Sequence, residues 1–182
     1  PIGIDPAEFN PSTGMRDIDL LGAGSFNPFK QYSLFVQVVK KLAQGNPSVR
    51  AVICGDGAER ELLEKLIREH GLESNIKLTG MIPHEEVLKY MQRAKIFIHP
   101  SSYEGFGAVC IEALYAGCEV VSFSDPMKLK IPKWHIVDSA QKMDEKVTEL
   151  LAKPEIDYSP ILIYDMNDSA KAIMKLYEKR NP

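Results

Sequence analysis

Residues 17–54 read DIDLLGAGSFNPFKQYSLFVQVVKKLAQGNPSVRAVIC, and this stretch decides the fold. Asp17 to Gly24 is an apolar run closed by glycine, a strand candidate. Asn27 and Pro28 suit the N-cap and first position of a helix over Lys30 to Gln44, where Leu34, Phe35, Val38, Val39 and Leu42 recur at helical spacing. Gly45-Asn46-Pro47 stops that helix, and Val49 to Cys54 is a second strand. A strand, a helix and a strand in this order form a parallel pair with a right-handed crossover.

The same alternation continues outward. Gly55-Asp56-Gly57 leads into a helix with the stripe Leu62, Leu63, Leu66, Ile67 and His70; Glu61/Lys65 and Glu64/Arg68 pair at i,i+4, and Gly71 ends it. Ile76 to Thr79 is a third strand, Gly80 to Pro83 turns into a helix carrying Val87, Leu88 and Met91, and Lys95 to His99 is a fourth strand. After Pro100 to Gly105 a helix runs to Ala116, ended by Gly117, and a fifth strand covers Glu119 to Phe123. A sixth strand is expected near Trp134 to Val137, then helices over Gln141 to Leu151 and Asn167 to Lys179. Trp134 and Phe123 are expected to pack at the sheet edge. Strands this apolar cannot face water on one side, so the expected fold is α/β: a Rossmann-like, doubly wound parallel sheet of about six strands with helices on both faces.

Composition narrows the function classes. The chain has 182 residues, 45% of them apolar and 26% charged, which suits one globular domain and excludes a disordered or fibrous protein. Twenty-two Lys and Arg against 25 Asp and Glu give a net charge of −3, not the basic balance that nucleic acid requires. Cys54, Cys110 and Cys118 lack CxxC spacing and read as small core residues of a reducing, cytoplasmic compartment. No apolar run approaches a membrane span, and no signal peptide opens the chain. The first residue is Pro1, which makes an excised or processed fragment the expectation.

In a doubly wound sheet, ligands gather at the carboxyl ends of the strands, where strand order reverses. The loop Gly22-Ala23-Gly24-Ser25-Phe26-Asn27 imitates a dinucleotide fingerprint but has Asn27 in place of the third glycine, and Asp56 lies 32 residues after Gly24, too far for the ribose acid. Nicotinamide is therefore not expected. Lys30 is either a solvated first-turn lysine or an anion ligand at a helix opening. In Pro100 to Leu114, Gly105 and Gly107 allow close backbone approach to a ligand. Glu112 is the lone charge between Gly105 and Cys118. It either marks the solvent edge of its helix or, if buried, accepts from hydroxyls such as those of a ribose diol. His84 and His99 have no Asp or Cys at ligand spacing and His70 belongs to a stripe, so neither metal nor triad is expected.

The spacing Glu104-x7-Glu112 in HPSSYEGFGAVCIEALYAGCEVVSFSD resembles the E-x7-E signature of the retaining glycosyltransferases of family 4, which have the GT-B fold. PIGIDPAEFNP (1–11) resembles that family's interdomain lead-in, CGDGAERELLEKL (54–66) its second strand and turn, and IKLTGMIPHEEVLKYMQRAKIFIHPSS (76–102) its third and fourth strands. The terminal helix with Leu176 and Tyr177 is similar to the one that crosses back to the partner domain. The resemblance implies a C-terminal donor-binding domain, with 1–16 as lead-in, about 164–182 as crossover helix, and the N-terminal acceptor domain absent. It implies that Glu104 is the catalytic glutamate on the donor sugar and that Glu112 binds the nucleotide ribose. Backbone around Gly105, Phe106 and Gly107 would face the sugar and diphosphate, Gly80 and Met81 the base, and Gly24, Ser25 and Lys30 the diphosphate. Ser25 stands where the family has Arg, and a hydroxyl cannot replace a bidentate guanidinium. Lys128, Lys130 or Lys133 would supply that charge, or the loop carrying them is merely solvated. The implied partner is a UDP-, GDP- or ADP-sugar, without metal or other cofactor, and any membrane association would run through the absent half. A GT-B epimerase and a non-catalytic nucleotide-binding scaffold stay open beside the transferase.

Overall fold

The structure, a computed structural model, describes residues 3–9 and 14–178. Its six strands are β1 (Ile18–Ala23), β2 (Ala51–Cys54), β3 (Ile76–Leu78), β4 (Ala94–His99), β5 (Glu119–Ser122) and β6 (Trp134–Ile136). They form one sheet in the order β3-β2-β1-β4-β5-β6, every neighbouring pair parallel. The helices are α1 (Tyr32–Gly45), α2 (Arg60–Glu69), α3 (His84–Arg93), α4 (Ala108–Tyr115), α5 (Ala140–Leu151) and α6 (Met166–Glu178). This is the expected Rossmann-like α/β architecture.

Alternation along the strands divides the core into two layers. Leu20, Ile96 and Ile98 pack with Phe35, Val39, Leu63, Ile67, Met143 and Val147, so α1, α2 and α5 cover one face. Leu21 and Phe97 pack with Leu88, Met91, Cys110 and Leu114, so α3 and α4 cover the other. The strands are buried on both sides, which is why they read as continuous apolar runs. α4 is apolar nearly all round because it is wedged into the second layer, with Cys110, Ile111, Ala113 and Leu114 buried. The three cysteines are buried and free.

Several local expectations change. Asn27 does not cap α1: its side-chain oxygen accepts from the N–H groups of Phe29 (3.1 Å) and Lys30 (3.2 Å) in a separate turn, and α1 begins at Tyr32 after Gln31 in a left-handed conformation (φ 51°). Leu62 lies outside the α2 stripe and is 43% exposed. The ion pairs on α2 are Arg60–Glu64 and Lys65–Glu69 rather than Glu61/Lys65 and Glu64/Arg68, since Arg60 is also drawn to Asp56 (3.0 Å) at the helix entrance. Trp134 and Phe123 do not pack together; they join opposite core layers, and the Trp134 indole donates to Ser122 Oγ at 2.8 Å.

The segment around Ile4 pairs with the residues that lead into α6. Ile4 N–H donates to the Tyr164 carbonyl and Met166 N–H to the Ile4 carbonyl, at 2.8 and 2.9 Å, and a Cβ at Gly3 would stand 2.4 Å from the Asp165 backbone. Residues 1–2 and 10–13 of the lead-in, the side chains of Leu176 and Tyr177, and Lys179 lie outside the described residues. Among the described residues no helix is long and apolar enough to cross a membrane.

Candidate functional site

The order of strands reverses between β1 and β4, and a cleft of about 450 Å³ opens at their carboxyl ends. Its walls come from the loops after β1, β2, β3 and β4 and from the starts of α3 and α4. Ser25, Lys30, Met81, His84, Glu104 and Glu112 line it. The loops after β1 and β2 are pressed together: Gly24 N–H donates to the Cys54 carbonyl (2.9 Å) and Phe26 N–H to the Asp56 carbonyl (2.8 Å). Gly55 has φ 145°, and a Cβ there would stand 2.0 Å from the Gly24 carbonyl oxygen, so only glycine fits. Phe26, fully buried, anchors this floor.

Two carboxylates occupy the walls. Glu104, on the loop after β4, ion-pairs through Oε1 with Lys30 Nζ, and the same oxygen lies 2.7 Å from His99 Nε2. The hydrogen bond from His99, with Lys30 adding to it, overcomes desolvation and holds the Glu104 carboxyl down to about 2. Glu112, on the inner turn of α4, has Oε1 3.1 Å from His84 Nε2, and His84 Nδ1 lies 3.8 Å from Glu8 Oε2. Burial pushes the Glu112 carboxyl above its usual range, and His84 only partly opposes that. One carboxylate is thus a fixed anion, while the other sits in an environment short of donors.

The cleft therefore assembles six of the sequence-derived site residues: Gly24, Ser25, Lys30, Met81, Glu104 and Glu112. Gly80 is tied to its wall, its carbonyl accepting from Gly55 N–H at 3.1 Å. Gly105, Phe106 and Gly107 lie outside the lining, in the turn between Glu104 and α4. Gly107 is the N-cap of α4 (φ 77°) and caps no N–H group through a side chain; the Cys110 N–H turns to the Gly107 carbonyl (2.9 Å), while Ala108 and Val109 line the cleft. Ser25 Oγ accepts from the Asn27 amide at 2.9 Å. Lys133 is held by the Ser159 carbonyl (2.8 Å) and Asp157 (3.1 Å), and none of Lys128, Lys130 and Lys133 lines the cleft.

His84 and His99 are the site residues that spacing arguments missed. His99 carried one legible signal: it is a polar residue ending an apolar strand, five positions before Glu104. His84 carried none, since it reaches Glu112 from a different element 28 residues away.

The chain is similar to known glycosyltransferases. The family described as "Glycosyl transferases group 1" matches residues 7–158. The 2-deoxystreptamine N-acetyl-D-glucosaminyltransferase of Niallia circulans is 39% identical over 93 residues, 51% of this chain and 24% of that protein. The phosphatidylinositol N-acetylglucosaminyltransferase gpi3 subunit of Schizosaccharomyces pombe is 29% identical over 129 residues, 71% of this chain and 28% of that protein. The pneumococcal O-GlcNAc transferase GtfA, solved in complex with UDP and GlcNAc, has a similar fold, with a TM-score of 0.76 at 20% identity over 98% of this chain and 38% of that one. The chain spans between about a quarter and two fifths of the length of the curated relatives it matches.

Proposed function

We propose, from the premise that this chain belongs to the glycosyl transferases group 1 family, that it is the nucleotide-sugar donor domain of a retaining hexosyltransferase. The observation that carries the reading is the placement of Glu104, Glu112 and Lys30 on one cleft at the strand-order reversal. Glu112, half-buried and short of donors, accepts from the two hydroxyls of a ribose. Lys30 and the first-turn N–H groups of α4 take the diphosphate. Glu104 meets hydroxyls of the donor sugar. Gly80 and Met81 flank the base.

The names of the relatives favour UDP as the nucleotide and an N-acetylhexosamine as the sugar. The protein's contribution to transfer is electrostatic: Lys30 and backbone donors stabilise charge that grows on the leaving diphosphate, which assists the acceptor hydroxyl on the same sugar face. The acceptor, a glycan, a lipid-linked sugar or a small molecule, is bound by a second domain, so this chain alone binds nucleotide without transferring sugar.

Calorimetry of the chain with UDP, GDP and ADP tests the reading. UDP is expected to bind, and Glu112→Ala to weaken it by about 10–100-fold, the worth of hydrogen bonds to a charged group. Failure of every nucleotide to bind would point instead to a non-catalytic scaffold.

A further inference from the structure

We infer that His99 is a positioning residue for Glu104, holding that carboxylate against the donor sugar after Lys30 has turned to the diphosphate. The inference rests on the donor-domain reading above and adds to it a residue that makes no contact with the ligand itself. In the cleft Lys30 and His99 both address one oxygen, Glu104 Oε1, which leaves Oε2 for a sugar hydroxyl. Among the described residues Lys30 is the one lysine lining that cleft, so a bound diphosphate competes with Glu104 for it. Without a second donor, Glu104 would then lose its anchor at the moment its geometry matters.

His99 is built to be that donor. It is the last residue of β4, fixed by register to Ser122 of β5, and only 1% exposed. Lys30, by contrast, precedes a helix on a turn. A carboxylate oxygen only accepts, so His99 Nε2 carries the proton that points at Glu104. Nδ1 is buried with no hydrogen-bond partner among the described residues. An aliphatic residue at the end of this apolar strand would spare the fold that unpaired ring nitrogen, so packing alone does not account for a histidine here. The other titratable groups facing Glu104 are Tyr32 and Cys110, whose hydroxyl and thiol burial keeps protonated. Neither donates to the carboxylate.

The test uses His99→Leu, which removes the donor, and His99→Gln, whose amide nitrogen replaces Nε2, on the 182-residue chain. Two readouts are taken: the Glu104 carboxyl titration by NMR, and the ratio of UDP to UDP-GlcNAc dissociation constants by calorimetry. His99→Leu is expected to raise the Glu104 titration midpoint from about 2 towards the ordinary range and to lower the ratio at least fivefold, with UDP itself held within twofold. His99→Gln is expected to restore both. An unchanged midpoint in His99→Leu overturns the inference, as does an unchanged ratio in a chain that binds UDP. If the unsubstituted chain binds no nucleotide, the donor-domain reading fails, and the Glu104 titration then decides alone whether His99 holds the carboxylate.

Discussion

Glu104 and Glu112 border the same cleft, yet their surroundings move them in opposite directions. Glu104 lies on a loop between two donors on separate elements, and its charge is settled before any ligand arrives. Glu112 rises from an apolar helix with one half-exposed histidine beside it, and its charge is poorly solvated until something supplies hydrogen bonds. Neighbouring carboxylates with divergent environments are suited to different work. The first positions and orients. The second gains most from a ligand that brings hydroxyl donors, as the ribose proposed for it would.

The contrast breaks most severely at Lys30, because the lysine serves both the anion beside it and the expected diphosphate. Lys30→Ala is expected to weaken UDP by about 10–100-fold and UMP much less, read by calorimetry. A gap between UDP and UMP that survives the substitution would confine Lys30 to supporting Glu104.

A smaller effect sharpens the contrast through stability. The Glu104 carboxyl is depressed in the fold, so it stabilises above its unfolded value of 4.5, and that contribution is lost as pH falls towards 2. Glu104→Gln is therefore expected to lower the melting temperature at pH 7 by about 2–4 °C, corresponding to about 1 kcal/mol, with the gap closing in acid. For Glu112 the sign reverses. A carboxyl raised by burial penalises the fold at neutral pH, and the penalty disappears as pH falls below 4.5. Glu112→Gln is expected to raise the melting temperature by about 1–2 °C at pH 7 while weakening UDP, the trade expected of a site residue. Melting curves of the two variants between pH 3 and pH 7 check both signs; shifts in the same direction at pH 7 would remove the electrostatic distinction between the glutamates.

The fold was legible because a parallel sheet covered on both faces imposes continuous apolar strands, and Leu20 to Ala23 or Ile96 to Ile98 admit little else. The pair Glu104 and Glu112 was legible through the resemblance of its spacing to the E-x7-E signature, since the residues by themselves left Glu112 open between a solvent edge and a buried acceptor. What failed depended on contacts between segments. Asn27 has a capping residue's chemistry, but Gln31 takes the left-handed conformation and moves the helix start to Tyr32. Arg60 turns to Asp56 and reorders the ion pairs of α2. The roles of His84 and His99 are set by loops meeting across the sheet, and neither spacing nor periodicity records that. Lys133 looked available to an anion until the segment around Asp157 folded back on it.

The division of labour between the two glutamates is tested most directly by titrating UDP and UDP-GlcNAc into the unsubstituted chain, Glu104→Ala and Glu112→Ala. Glu112→Ala is expected to weaken both ligands by a similar factor of about 10–100, and Glu104→Ala to leave UDP bound and remove only what the sugar adds. Equal losses for both ligands in both variants would contradict that division.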